Sequence, residues 1–144
     1  MTEPNYEALK LEHQICFPLY ACSREISKRY KPCLDKIDLT YTQYITMMVM
    51  WEKKSINVKA LGEALYLDSG TLTPLLKKLE AKGFVSRQCS TEDERNLIVT
   101  ITAQGEQLKD QALMVPLEMA QGSSLTPEEA ATLYQILYKM LGAK

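Results

Sequence analysis

Residues 14 to 20 read QICFPLY. Cys16 stands two positions before Pro18 and beside Phe17. Proline is comfortable in the first turn of a helix and costly further in, so the helix carrying this stretch is expected to begin within a few residues of Pro18. Cys16 then sits at the positive end of the helix dipole, where a thiol is favoured as its anion. A thiolate attacks a peroxide oxygen and becomes a sulfenic acid, which condenses with a second thiol to a disulfide. Phe17 and Leu19 give the sulfur an apolar surround that suits an alkyl or fatty-acid hydroperoxide better than hydrogen peroxide. His13, the only histidine, lies three residues away and reads as exposed.

Three more cysteines are weighed against Cys16. Cys22 falls on the stripe Leu19, Cys22, Ile26, Tyr30, which has helical spacing, and reads as core. Cys33 follows Pro32, which is expected to end that helix, and so reads as part of a turn. Cys89 reads as part of a strand. Six residues set Cys22 about 9 Å along the axis and about 240° around from Cys16, which makes it a poor partner for a disulfide within one helix. The second thiol is therefore expected to be a small cellular thiol, with Cys33 of another subunit as the alternative. No CxxC occurs, and with one histidine neither a zinc site nor another cofactor is expected.

A second set of residues suits nucleic acid. The chain has 144 residues and a formal charge of -1, which says little, but the distribution is uneven. Between Ser69 and Thr91, Lys77, Lys78, Lys82 and Arg87 face only Glu80. Within LDSGTLTPLLKKLEAKG, Asp68 or Ser69 can cap a helix and Gly83 can end it. Leu72, Leu75, Leu76 and Leu79 form one stripe, and Gly70, Pro74, Lys77 and Ala81 point the other way. Such a helix fits the major groove, with Ser69, Thr71 and Thr73 reaching bases or phosphates and Lys77, Lys78 and Arg87 neutralising phosphates. Arg95, in the polar tip STEDER, can enter a narrow minor groove, and Asp93 can orient it.

The surrounding elements follow from periodicity and caps. Thr42 is expected to cap a helix ending near Lys53 that is apolar nearly all round. Asn57 caps VKALGEALYL. FVSRQC and NLIVTIT read as two strands. Thr102 is expected to cap a helix through about Met119, and Thr126, Pro127 and Glu129 form a capping box for the last one. The order of four helices, a hairpin and two helices gives a mainly α fold with a two-stranded β wing, a winged helix-turn-helix. The chain length fits one domain. No apolar run reaches the roughly 18 residues of a membrane span, and no signal-peptide layout is present, so a cytoplasmic protein is expected.

The run VKALGEALYLDSGTLTPLLKKLEAKGFVSR, followed by DER, resembles the MarR family of winged-helix repressors over most of residues 40–102. LEHQICFPLYACSRE and YKPCLDKIDLTYTQY resemble its OhrR-type group, repressors that sense organic hydroperoxides through one cysteine. The resemblance implies a homodimer on double-stranded DNA with a pseudo-palindromic operator. Its dimerisation elements would be about 1–38 and 103–144, flanking a winged helix-turn-helix of about 40–102. It implies that Cys16 is the sensing thiol, that Tyr30 and Tyr41 of the other subunit hydrogen-bond to it, and that Asp93 and Arg95 form the wing-tip pair. Pro18 departs from the ordinary helix former expected there. The C-terminal resolving cysteine of some relatives is missing, since residues 104–144 hold none.

The function expected is a repressor that releases its operator when an organic hydroperoxide oxidises Cys16 and a small thiol caps the product. The alternative is release by a phenolic or drug-like ligand in a cleft lined by Met47, Met48 and Met50. An enzyme is not expected, because no arginine or threonine stands near Cys16 to polarise a peroxide. A winged-helix module that binds protein would bind independently of salt, unlike one that binds DNA.

Overall fold

In the computed structural model, which describes residues 2–90 and 96–143, two 3₁₀ turns (Tyr6–Leu9 and Leu11–His13) precede α1 (Cys16–Asp35). There follow α2 (Tyr41–Lys53), β1 (Ser55–Asn57), α3 (Val58–Leu65), α4 (Ser69–Ala81), β2 (Val85–Cys89), β3 (Leu97–Ile101), α5 (Ala103–Ala112), α6 (Met114–Gln121) and α7 (Pro127–Met140). None of these helices is long and apolar enough to cross a membrane.

The caps decide where helices start. Asn57 accepts from the N–H groups of Lys59 and Ala60, Asp68 from Thr71, and Thr102 from Gly105. Thr126 and Glu129 close the expected capping box on α7. For α2 the cap is Thr40, two residues earlier than Thr42. Thr40 forms a reciprocal box with Gln43, which Thr42 cannot do because position 45 is an isoleucine.

Prolines act differently from expectation at two places. Pro32 does not end α1, which runs on to Asp35 with Cys33 buried inside it rather than in a turn. The backbone bond that Pro32 cannot make is to the carbonyl of Lys28, an exposed residue that solvent can reach. The helix expected from Thr102 to about Met119 is broken at Leu113. Pro116 cannot donate to the carbonyl of Ala112, and its ring crowds that group, so α5 stops there and α6 starts afresh.

The wing has a third strand. β1 pairs antiparallel with β3 (Ile56 opposite Val99), and β3 pairs with β2 (Arg87 opposite Val99), giving the order β1-β3-β2. The pieces share one core, with Met47 and Met50 of α2 fully buried at its centre. Leu72, Leu76 and Leu79 of α4 and Val115 of α6 close around them. The Trp51 indole N–H donates to the Gly105 carbonyl at 2.9 Å, tying α2 to α5. At the bend between α3 and α4, a Cβ on Gly62 would stand 2.8 Å from the Leu67 carbonyl oxygen, so only glycine permits that approach.

One part of the molecule has no such cover. No residue of α7 is buried; Leu133, Ile136, Tyr138 and Met140 lie open, as do Ile15, Phe17, Tyr20 and Ile26 around α1. A groove of about 540 Å³ runs between the two helices, lined by Ile15, Leu19, Cys22, Tyr41, Leu133 and Leu137 among others. Cys22 is thus exposed in the protomer and not in its core, because its stripe faces α7 across this groove.

Candidate functional site

Cys16 is the first residue of α1, and it is exposed. Ile15 before it contributes no side-chain cap, so the first N–H groups of α1 are left without a side-chain acceptor where the sulfur sits. Pro18 occupies the third helical position, where its missing N–H is no loss. Tyr20 lies one turn on, on the same face, and its hydroxyl accepts from Arg24 Nη1 at 2.9 Å. Sequence reasoning passed over this pair; the i, i+4 spacing from Cys16 was the available signal.

The two tyrosines expected to support the sulfur are together, but far from it. Tyr30 and Tyr41 stack with ring centroids 4.9 Å apart, and Tyr44 joins at 6.0 Å from Tyr30. Burial, with Tyr41 next, raises the pKa of the Tyr30 phenol, and burial raises that of Tyr44 as well, so both stay protonated donors at neutral pH. Fourteen helical residues separate Cys16 from Tyr30, roughly 21 Å of axis. These phenols therefore cannot touch the sulfur of their own chain.

Cys33, the alternative resolver, is a held thiol. Its Sγ donates to Glu118 Oε2 at 2.7 Å, and Lys36 Nζ binds the other carboxylate oxygen at 3.1 Å. The hydrogen bond to Glu118, then burial, raises the Cys33 pKa. Cys89 is exposed at the far end of β2.

The surface of α4 is built as expected. Leu72, Leu75, Leu76 and Leu79 are buried, while Ser69, Thr71, Thr73, Lys77 and Lys78 are all exposed on the outer side. Asp68 caps the helix, and the Thr71 N–H holds its carboxyl below the usual range. Pro74 has no N–H to give the Gly70 carbonyl, and both residues lie on the same exposed side.

The positive patch is smaller than the sequence suggested. Arg87 turns onto Glu80, its Nη2 at 3.1 Å and its backbone N–H at 3.2 Å from the carboxylate, and only 19% of its side chain is exposed. Lys82 turns inward to Asp38 and Gln43. Arg87 is engaged because β2 runs back beside α4, and Lys82 because the end of α4 meets the α1–α2 turn and the start of α2, neither of which periodicity alone reveals. Asp93 and Arg95 lie outside the described residues. Of the three methionines suggested for a ligand cleft, Met47 and Met50 are core. Only Met48 borders a groove, about 420 Å³ between α2 and the α5–α6 break.

Known proteins share this architecture. Over 139 residues, spanning 96% of this chain and 95% of the relative, the sequence is 45% identical to the organic hydroperoxide resistance transcriptional regulator of Bacillus subtilis (strain 168). The chain belongs to the MarR family of winged-helix transcriptional regulators. The family model for the transcriptional regulator SarA/Rot matches residues 28–112 of this MarR-family protein. The structure of reduced AbfR bound to DNA superposes with a TM-score of 0.76 at 33% identity, covering 94% of this chain and 95% of that one; AbfR is a protein of Staphylococcus epidermidis. AbfR in its disulfide form superposes at 0.62, again at 33% identity, covering 94% and 92%. A mutant MarR from E. coli complexed with operator DNA superposes at 0.82 with 23% identity over 96% of this chain and 99% of that one, a likeness of fold.

Proposed function

We propose that this MarR-family protein is a homodimeric DNA-binding repressor that senses organic hydroperoxides through Cys16 and releases its operator when oxidised. One observation carries the reading: an exposed Cys16 opens a helix whose first turns leave Ile15, Phe17, Tyr20 and Ile26 exposed. The likeness to a hydroperoxide resistance regulator and to a regulator solved reduced on DNA supports it.

Two copies of α1 and α7 cover each other's open faces. Pairing brings the Tyr30 and Tyr41 phenols of one subunit to Cys16 of the other, which the separation of roughly 21 Å within one chain forbids. The two α4 helices then enter successive major grooves about 34 Å apart. Ser69, Thr71 and Thr73 reach base edges or phosphates, and Lys77 and Lys78 neutralise phosphates. Asp93 and Arg95 are assigned to the wing tip by resemblance.

In the sensing step the Cys16 thiolate attacks the terminal peroxide oxygen. The O–O bond breaks, the alkoxide takes a proton and leaves as the alcohol, and sulfur becomes the sulfenic acid, giving up two electrons. A small cellular thiol then forms an S–S bond with it, and water leaves. The bulkier neutral adduct no longer accepts the phenol hydrogen bonds.

The test is a DNA-binding titration with cumene hydroperoxide on wild type and Cys16→Ser. Wild type is expected to lose DNA and the variant to keep it. Continued peroxide sensitivity of the variant removes Cys16 from the mechanism.

A further inference from the structure

Lys82 stands at the C-terminal end of α4, and its ammonium does not face the solvent side of that helix. It donates to the Asp38 backbone carbonyl and to Gln43 Oε1 at 3.0 Å, and pairs with Asp38 Oδ2 at 3.7 Å. Asp38 lies in the turn between α1 and α2, with a left-handed φ of 55°. Gln43 is nearly fully buried, and its same Oε1 also accepts from the Thr40 backbone N–H at 3.1 Å, completing the box that starts α2. The next residue, Tyr41, stacks on Tyr30. One side chain thus joins the end of α4 to the turn that positions the Tyr30–Tyr41 pair.

We infer that Lys82 is a positioning residue that transmits the state of the tyrosine pair to the recognition helix. The inference rests on the redox reading above. An input can bias two states only through contacts that differ between them. If oxidation of a partner's Cys16 moves Tyr41, it moves the start of α2, and with it the Gln43 oxygen and the Asp38 carbonyl. A cation bound to both carries that displacement to α4. Neutral side chains here leave α4 packed on its leucines, yet disconnected from the turn. Lys82 then affects how far oxidation changes DNA affinity, more than the affinity itself.

The experiment measures the affinity of wild type, Lys82→Met, Lys82→Arg and Asp38→Asn for one fluorescent duplex. That duplex is selected by reduced wild type from a random-sequence pool. Each protein is titrated reduced, and again after one equivalent of cumene hydroperoxide with free cysteine as the capping thiol. Lys82→Met keeps the aliphatic stem, so reduced binding is retained, and its reduced-to-oxidised affinity ratio is expected to shrink by about fivefold or more. Lys82→Arg keeps the charge and restores most of the ratio. Asp38→Asn, at an exposed side chain tolerant of left-handed φ, gives a smaller loss and serves even if the methionine variant does not fold. Ratios equal to wild type in Lys82→Met and Asp38→Asn overturn the inference while leaving the redox reading intact. A wild type that does not respond to peroxide overturns both.

Discussion

The thiol of Cys33 points at the carboxylate of Glu118, 2.7 Å away, and so fastens the last turn of α1 to α6. The Cys33 hydrogen bond, with Lys36 behind it, holds the Glu118 carboxyl below its usual range. A carboxyl depressed in the folded state stabilises the protein above its unfolded pKa, and that contribution is lost as pH falls through the lowered folded value. Cys33 shifts upward, so its contribution holds below the ordinary thiol value and is lost as pH rises through the raised one. Melting temperature should therefore fall at both ends of the pH range. Glu118→Gln should flatten the acid limb and Cys33→Ala the alkaline limb, as read by circular dichroism melts from pH 3 to 10. Limbs unchanged in both variants would refute the assignment.

The same contact separates the four thiols. Cys16, Cys22 and Cys89 are exposed and Cys33 is buried. Ellman's reagent on the folded, reduced protomer should modify Cys33 last, and only at the rate of opening, whereas denatured protein shows four equal thiols. In the dimer Cys22 should also slow, because its groove is covered. A fast Cys33 would make it a candidate resolver again.

Phosphate contacts should be countable. Each phosphate neutralised contributes about 0.9 to the slope of log affinity against log salt. Lys77→Ala and Lys78→Ala should each lower that slope by about 2 per dimer, one contact from each subunit. Arg87→Met should weaken binding through the lost tie to Glu80 and leave the slope unchanged. A fall in slope for Arg87→Met would show that its guanidinium leaves Glu80 for DNA.

Core packing gives a stability scale. Leu79, fully buried beneath α4, should cost about 2–5 kcal/mol on replacement by alanine. Trp51→Phe should cost about 1–3 kcal/mol, because the buried Gly105 carbonyl loses its indole donor. Urea unfolding of the reduced protein measures both. A value near zero for Trp51→Phe would mean that α2 and α5 are held by something other than this hydrogen bond.

The open face of α7 predicts association. Leu137→Glu places a charge in the groove beside Leu19 and should shift sedimentation toward the monomer. DNA affinity should fall with it. A variant that remains dimeric and binds normally would exclude this groove from the interface.

Much of this was readable from local chemistry. Asn57, Asp68, Thr102 and Thr126 cap helices because a short polar side chain meets orphan N–H groups wherever the chain enters a helix. The leucine stripe of α4 needed only the helical period. What escaped depends on residues distant in the chain. SIN at 55–57 is too short to announce a strand and becomes one only because β3 offers a free edge. Arg87 and Lys82 looked like free cations because Glu80, Asp38 and Gln43 approach them only in three dimensions. Cys22 looked like core because a stripe that lines an open groove has the same periodicity as one that is buried. Pro32 misled because the penalty for a proline depends on whether the carbonyl it orphans can find water.

The short strand β1 has a mechanical consequence. It is hydrogen-bonded to β3, and its last residue, Asn57, is also the cap of α3. Strand β3, and β2 paired to it, are thereby stitched to the base of the two-helix reading head. Groove-reading helix and hairpin must travel as a single paddle. The pitch between two such paddles on a duplex is then adjusted only at their roots, the turn before α2 and the break at Leu113.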